Sequence, residues 1–216
     1  AIGLGNNIGQ YSNTSFALGQ NARIAGTNDV NNAYTSYALG YKATVGYDSV
    51  DGTTVTGANS AYAIGSEALA NGKYSYAIGY RANAKAYGAI AIGTQSYINV
   101  PTVASTVASG INSIAIGSGI NVGNQNNTAI GSYNIAGLDA SFAVGIGNDI
   151  NSRKNAITVL TNGNTGIGTA APTNKLHVYA ASDPVKLEGL QTGTSTDQIV
   201  TVDSNGVLKK VTSSTL

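Results

Sequence analysis

Along the first 145 residues one short apolar pattern keeps returning: Ala, then Ile, Leu or Val, then Gly, with the glycines at Gly3, Gly19, Gly40, Gly65, Gly79, Gly93, Gly117, Gly131 and Gly145. The base spacing is 14 residues, and the longer steps carry 2, 7, 11 or 10 additional, mostly polar residues. A fixed period of this kind marks a repeat architecture. Fourteen residues are too few for a helix pair or a propeller blade but suit one coil of two short strands and two turns. The additional residues are expected at one point of the coil, as loops on one face.

Columns through the repeat define its faces. One residue before each Gly stand Leu18, Leu39, Ile64, Ile78, Ile92, Ile116, Ile130 and Val144; three before stand Phe16, Tyr37, Tyr62, Tyr76, Ile90, Ile114, Thr128 and Phe142. These share one side of a strand, because side chains alternate with period two. On the other side every copy has alanine: Ala17, Ala38, Ala63, Ala77, Ala91, Ala115, Ala129 and Ala143. A strand apolar on both sides is buried on both, so the alanines are expected where a second chain packs closely. After the Gly the pattern becomes half-buried alternation, as in Arg81-Ala82-Asn83-Ala84-Lys85. Each coil is therefore predicted to have one strand dry on both sides and one with a wet face. Three chains around an axis would close such coils, with those eight alanines as the trimer interface.

Beyond Gly145 the register fails, since the next position is Val159. Ala156–Leu160 and Lys175–Tyr179 read as strands, and the Asp-Ser-Asn-Gly turn at 203–206 lies between two further short strands as a hairpin. The predicted organisation is a repeat head over 1–151, a neck or transition segment over 152–179, and a β-hairpin-containing stem over 180–216. The fold class is all-β, a parallel β-roll solenoid followed by a β-rich trimeric stem.

Composition narrows the function. Only Glu67 and Glu188 are glutamates, and Gly supplies 28 of 216 residues, which disfavours helices. There is no Cys, so a disulfide framework, a thiolate zinc site and a cysteine nucleophile are excluded. The net charge is +1 with acids and bases scattered singly, which leaves no footprint for nucleic acid. No apolar run reaches the ~18–20 residues of a membrane helix, so no membrane contact is expected of this segment. The opening AIGLG falls in mid-repeat without a leader pattern, and both ends are expected to be cuts from a longer polypeptide.

The units SYALGYKATVGYDS, AYAIGSEALANGKYS, YAIGYRANAKAYG and NSIAIGSGINVGN resemble the head repeats of trimeric autotransporter adhesins of the YadA type. That resemblance covers roughly residues 1–150. It implies a left-handed parallel β-roll, a homotrimer, no enzymatic activity, and attachment to a host surface protein or glycan receptor. The same repeat also occurs in phage tail fibres. Residues 152–178, SRKNAITVLTNGNTGIGTAAPTNKLHV, resemble a stretch that follows such repeats in phage tail fibres and Bacteroidetes surface proteins. The neck signature DNSVSVG is absent. An extracellular place follows, on a bacterial cell surface or a virion tail.

Candidate chemistry is sparse. Gly166-Ile167-Gly168-Thr169-Ala170-Ala171 fits a loose dinucleotide fingerprint, but Pro172 and a strand follow where a helix is needed, so a structural turn is expected. His177 is the only imidazole and reads as a packed or axial stem residue. Asp48 with Asp51 falls short of a calcium ligand set. No catalytic residue, metal site or cofactor is predicted. A polysaccharide depolymerase would need clustered carboxylates, and the acids here stand apart. Tyr37, Tyr62 and Tyr76 are expected in the core, or packed with the hydroxyl at the surface. Loops on a rigid scaffold are where recognition concentrates, which selects Tyr47, Asp48, Asp51, Thr53, Thr54, Pro101 and Thr102 as receptor-binding candidates. A passive spacer in a longer fibre is the competing reading.

Overall fold

The computed structural model describes residues 1–10, 12–25, 33–46, 58–94, 104–194 and 197–211. Through the repeats the chain runs β1 (Asn7–Ile8), β2 (Phe16–Leu18), β3 (Arg23–Ile24), β4 (Tyr37–Leu39), β5 (Thr44–Val45), β6 (Tyr62–Ile64), β7 (Leu69–Ala70) and β8 (Tyr76–Ile78). It continues through β9 (Asn83–Ala84), β10 (Ile90–Thr94), β11 (Val107–Ala108), β12 (Ile114–Ser118), β13 (Asn121–Val122), β14 (Thr128–Ser132) and β15 (Ala140–Ile146). From β1 to β14 the strands fall alternately into two sheets, β15 joins β14 in the second, and all pairing between coils is parallel and in register: Ala17 faces Ala38, which faces Ala63. The protein is all-β, with no helix among the described residues.

Two backbone positions turn each coil. Thr14, Thr35, Ser60, Tyr74, Asn112 and Asn126 lie five residues before the repeat glycine, and Asn21, Lys42, Glu67 and Arg81 two residues after it. All have φ between 51° and 59°, a left-handed conformation that non-glycine residues adopt at some cost. Stacking offsets that cost. The amides of Lys42, Glu67 and Arg81 each donate to a carbonyl of the preceding coil, at 2.7–3.0 Å.

The repeat glycine has a different cause. Gly117 has φ 132°, and a Cβ there would lie 1.8 Å from the carbonyl oxygen of Gly131 on the next coil. Each coil seats its glycine against the next, so neither the conformation nor the space admits a side chain.

The alanine columns are placed otherwise than the sequence suggested. Ala17, Ala38, Ala63, Ala77, Ala91, Ala115, Ala129 and Ala143 are only 0–4 % exposed within the single chain. They point into the roll, in one buried cluster with Ile24, Val45, Ala70, Ala84 and Val122 of the short strands and with Ala22, Ala43 and Ile120, which immediately precede short strands. The close approach that small residues permit is between the chain's own two sheets, so these alanines are not a surface another chain can reach. The prediction of a strand dry on both sides therefore fails on the assignment of faces: the chain itself dries the alanine face. Most short strands keep the expected half-buried alternation, with Arg23 out and Ile24 in, whereas β5 and β7 are buried at both positions.

The roll ends by reversal. β16 (Asn155–Leu160) runs antiparallel to β15, β17 (Thr165–Ile167) antiparallel to β16, and β18 (Leu176–Val178) parallel to β17. These three extend the β2-to-β15 sheet to eleven strands. The compact unit they complete covers Ala1–Ala180. A second unit, Ala181–Leu216, contains the antiparallel hairpin of β19 (Ile199–Val202) and β20 (Leu208–Val211).

Candidate interaction face

Since alanine faces inward, the columns on either side of it face outward. Strand pairing carries the first column from Leu18 through Ile64, Ile92 and Ile130 to Val144, Ile157, Ile167 and Val178. The second runs from Phe16 through Tyr37, Tyr62, Tyr76, Ile90, Ile114 and Thr128 to Phe142, Val159, Thr165 and Leu176. No position in either column carries a charge. Leu18, Ile64, Tyr76, Ile116 and Ile167 are exposed, and the remaining repeat positions are mostly half-buried. Contiguous apolar surface on this scale marks an interaction site in a soluble protein.

Of the two placements expected for Tyr37, Tyr62 and Tyr76, the core is not the one found: they pack against one another on this outer face, Tyr37 and Tyr62 half-buried and Tyr76 exposed. Tyr37, Tyr62 and Tyr76 stack on consecutive strands, with ring centroids 5.2 and 4.9 Å apart and interplanar angles of 9° and 2°. One edge of the face is polar. There Lys42 lies 5.0 Å from the ring of its neighbour Tyr41 and Arg81 lies 5.3 Å from that of Tyr80. Arg81 also pairs with Glu67 on the preceding coil. At the opposite turn Tyr74 and Tyr87 meet edge to face at 5.4 Å.

The receptor-binding candidates Tyr47, Asp48, Asp51, Thr53, Thr54, Pro101 and Thr102 lie outside the described residues. Their points of insertion are nevertheless fixed by the flanking strands. Residues 26–32 and 47–57 interrupt the chain between a short strand and the next long-sheet strand. Residues 95–103 interrupt it between β10 and β11, in the opposite connection. The insertions thus leave from both edges of the roll, not from one point of the coil as the spacing suggested.

A polar cluster closes the end of the core, and the sequence reading did not pick it out. Asn134 is 3 % exposed. Its Oδ1 accepts from the Asn121 amide at 2.8 Å, and its Nδ2 donates to the Asn121 carbonyl at 3.0 Å. Its own carbonyl accepts from Arg153 Nη1 at 3.0 Å, as does that of Gly119. Asn155 Oδ1 accepts from the Ile135 amide at 2.9 Å, and its Nδ2 donates to the Oγ1 of the fully buried Thr158 at 3.0 Å. Burial holds the Arg153 guanidinium below its usual pKa, opposed by Tyr133 beneath it. One signal was available: Asn134 stands three residues after its glycine, where earlier coils have Ala22, Ala43, Ala68 and Ala82.

The remaining candidates are structural in setting. Gly166 and Ile167 belong to β17, and the chain turns at Gly168 (φ 74°) into a buried Pro172, without a helix to receive a phosphate. His177 pairs in register with Gly166, and its Nδ1 lies 3.4 Å from the Thr173 amide. No group of three metal-ligating side chains occurs among the described residues. No helix among them is long and apolar enough to cross a membrane.

The YadA head domain repeat matches this chain in two copies, at residues 70–96 and 104–119. The two copies run from Ala70, the last residue of β7, through β12 and leave out residues 97–103 between them. No curated protein matches the chain, and no solved structure does.

Proposed function

We propose that this chain is a non-enzymatic segment of a homotrimeric extracellular fibre, in which three left-handed β-rolls pack through the outer columns of the repeat strands β2 to β15 and present inserted loops to a receptor. The observation that carries it is the pair of uncharged columns. They leave leucine, isoleucine, phenylalanine and tyrosine side chains in water along a sheet whose own core is narrow. The largest fully buried apolar side chains are Ile24, Ile120 and Val45, and alanine supplies most of the rest. Such a core yields little apolar burial per residue, and burial at an interface would add what it lacks. The 181–216 unit points the same way. Val200, Val202 and Leu208 share one face of its hairpin and are 62–68 % exposed, and a two-stranded hairpin is marginal in water by itself.

The fibre would serve attachment, as the head-repeat match suggests. The binding residues proposed are Tyr47, Asp48, Asp51, Thr53 and Thr54 in one insertion and Pro101 and Thr102 in another, with three equivalent copies raising avidity. The ligand would be a surface protein or glycan, and the owner a bacterial adhesin or a tail fibre. A spacer role is favoured by one observation: the coils from Gly65 to Gly93 and from Gly117 to Gly145 carry no insertion and contribute only length.

Light scattering during size exclusion tests the assembly: three times the chain mass of 21.7 kDa is expected, and a stable monomer overturns the reading. Replacing 47–57 and 95–103 by base-period turns tests attachment. Loss of cell binding by an intact trimer is expected. Unchanged binding would transfer the case to the spacer.

A further inference from the structure

The segment after the last repeat abandons the 14-residue register and reverses strand direction, yet it does not leave the outer face. Val144 pairs with Ile157, Ile157 with Ile167, and Ile167 with Val178. On the parallel column Phe142 pairs with Val159, and Thr165 with Leu176. On the inner column Ala143 pairs with Thr158, which is fully buried, and Thr158 with the buried Gly166. Cross-strand partners in register share a side of the sheet, so the reversal preserves both the inward column and the outward pair.

We infer that β16, β17 and β18 form the continuation of the subunit interface, and that the outer side chains Ile157, Ile167, Val178, Val159 and Leu176 pack against the same face of a second copy of this chain. The inference rests on the trimer reading above and extends it beyond the repeats. Three observations favour that occupant. The columns cross from the repeats into this segment without a gap. They contain no charge that a copy of the same sign would repel. Ile167 and Leu176 are 45 % and 62 % exposed, although nothing in the fold of a single chain requires them to be apolar. The inner side of this segment closes the roll with Asn155 and Thr158, while the outer side carries the interface onward. The two tasks are divided by the alternation of side chains along each strand.

The absence of Cys from the chain makes the test direct. Single cysteines are placed in the full chain at Ile78, in the repeats; at Ile167, in this segment; and at Ala171, an exposed position outside both columns. Each is treated with a homobifunctional thiol crosslinker. Covalent dimers from Ile78→Cys and Ile167→Cys, but not from Ala171→Cys, are expected. Crosslinking at Ile78 without crosslinking at Ile167 overturns the inference and leaves the trimer standing. A monomer on light scattering overturns both. A second measurement does not depend on thiol geometry: Ile167→Lys with Leu176→Lys should weaken trimer association by about a hundredfold or more, since like charges would meet at the interface. Ala171→Lys should leave association unchanged. Equal association of all three proteins would also overturn the inference.

Discussion

The carboxamide of Asn134 holds both backbone groups of Asn121: Oδ1 accepts from its amide at 2.8 Å and Nδ2 donates to its carbonyl at 3.0 Å. Asn121 begins β13, the last strand of the short-strand sheet. In the coils before it, the same amide donates to the backbone of the following coil; that of Val107, for example, donates to the Ile120 carbonyl at 2.8 Å. At the end of the roll a side chain performs this office, and the sheet edge stays satisfied without another strand.

Asn134→Ala removes that substitute and leaves the Asn121 groups without it. A loss of about 1–3 kcal/mol in unfolding free energy is expected, measured by denaturant titration. Hydrogen exchange should quicken first at the amide of Asn121, while amides in β6 to β8 keep their protection. Equal acceleration along the whole roll would disprove a local closing role.

Two glycines six residues apart, Gly117 and Gly123, should respond oppositely. Gly117→Ala drives a Cβ to 1.8 Å from the Gly131 oxygen at a φ of 132°, whereas a Cβ at Gly123 meets nothing within 4 Å. Gly117→Ala should cost upward of about 2 kcal/mol, and Gly123→Ala should fall within about 0.5 kcal/mol of the parent. Thermal unfolding of the two variants side by side checks the contrast.

Neighbouring residues on opposite sides of one strand should separate folding from assembly. Ala77 is fully buried, so Ala77→Leu overpacks the core and should destabilise by about 1–3 kcal/mol or more. Ile78 lies on the outer face, and Ile78→Lys should spare the circular dichroism spectrum of the roll while shifting sedimentation toward monomer. If Ile78→Lys remained fully trimeric, the outer face would not be the interface.

The 203–207 turn should weaken in acid. The Val207 amide, donating to the Asp203 carboxylate at 3.0 Å, holds its pKa below the ordinary value, assisted by the Asn205 amide and by Lys209. A carboxyl depressed on folding contributes stability that is fully present above its unfolded value of about 3.9 and is lost as pH falls through the folded value. Amide shifts of Asn205 and Val207 should hold steady above pH ~5 and move together below pH ~4, with no such transition in Asp203→Asn.

Much of this fold is legible in the sequence because it repeats. The glycine register locates every long-sheet strand from β2 to β15, and alternation separates the residues of each column correctly. Which column faces inward was not legible. Ala77 and Ile78 are both apolar, and period two says only that they point apart. The structure decides it by volume: two sheets this close leave room for alanine and not for tyrosine, so Tyr62 goes outside. Residues 155–178 escaped for another reason. Their membership of the sheet depends on antiparallel pairing between Val144 and Ile157, which no fixed spacing announces. Asn134 shows the reverse case, a polar residue at the position where Ala22, Ala43, Ala68 and Ala82 stand in other coils, visible but meaningful only once that column was known to face inward.

The insertions leave the roll only where the chain passes from one sheet to the other, and they do so at both edges. Lengthening by a coil and exchanging a loop are therefore separate operations. An added coil advances the strand ladder by about 4.8 Å without altering any existing loop, and a new loop leaves both columns in place. A chain built in this way can change its reach and what it touches independently, one turn at a time.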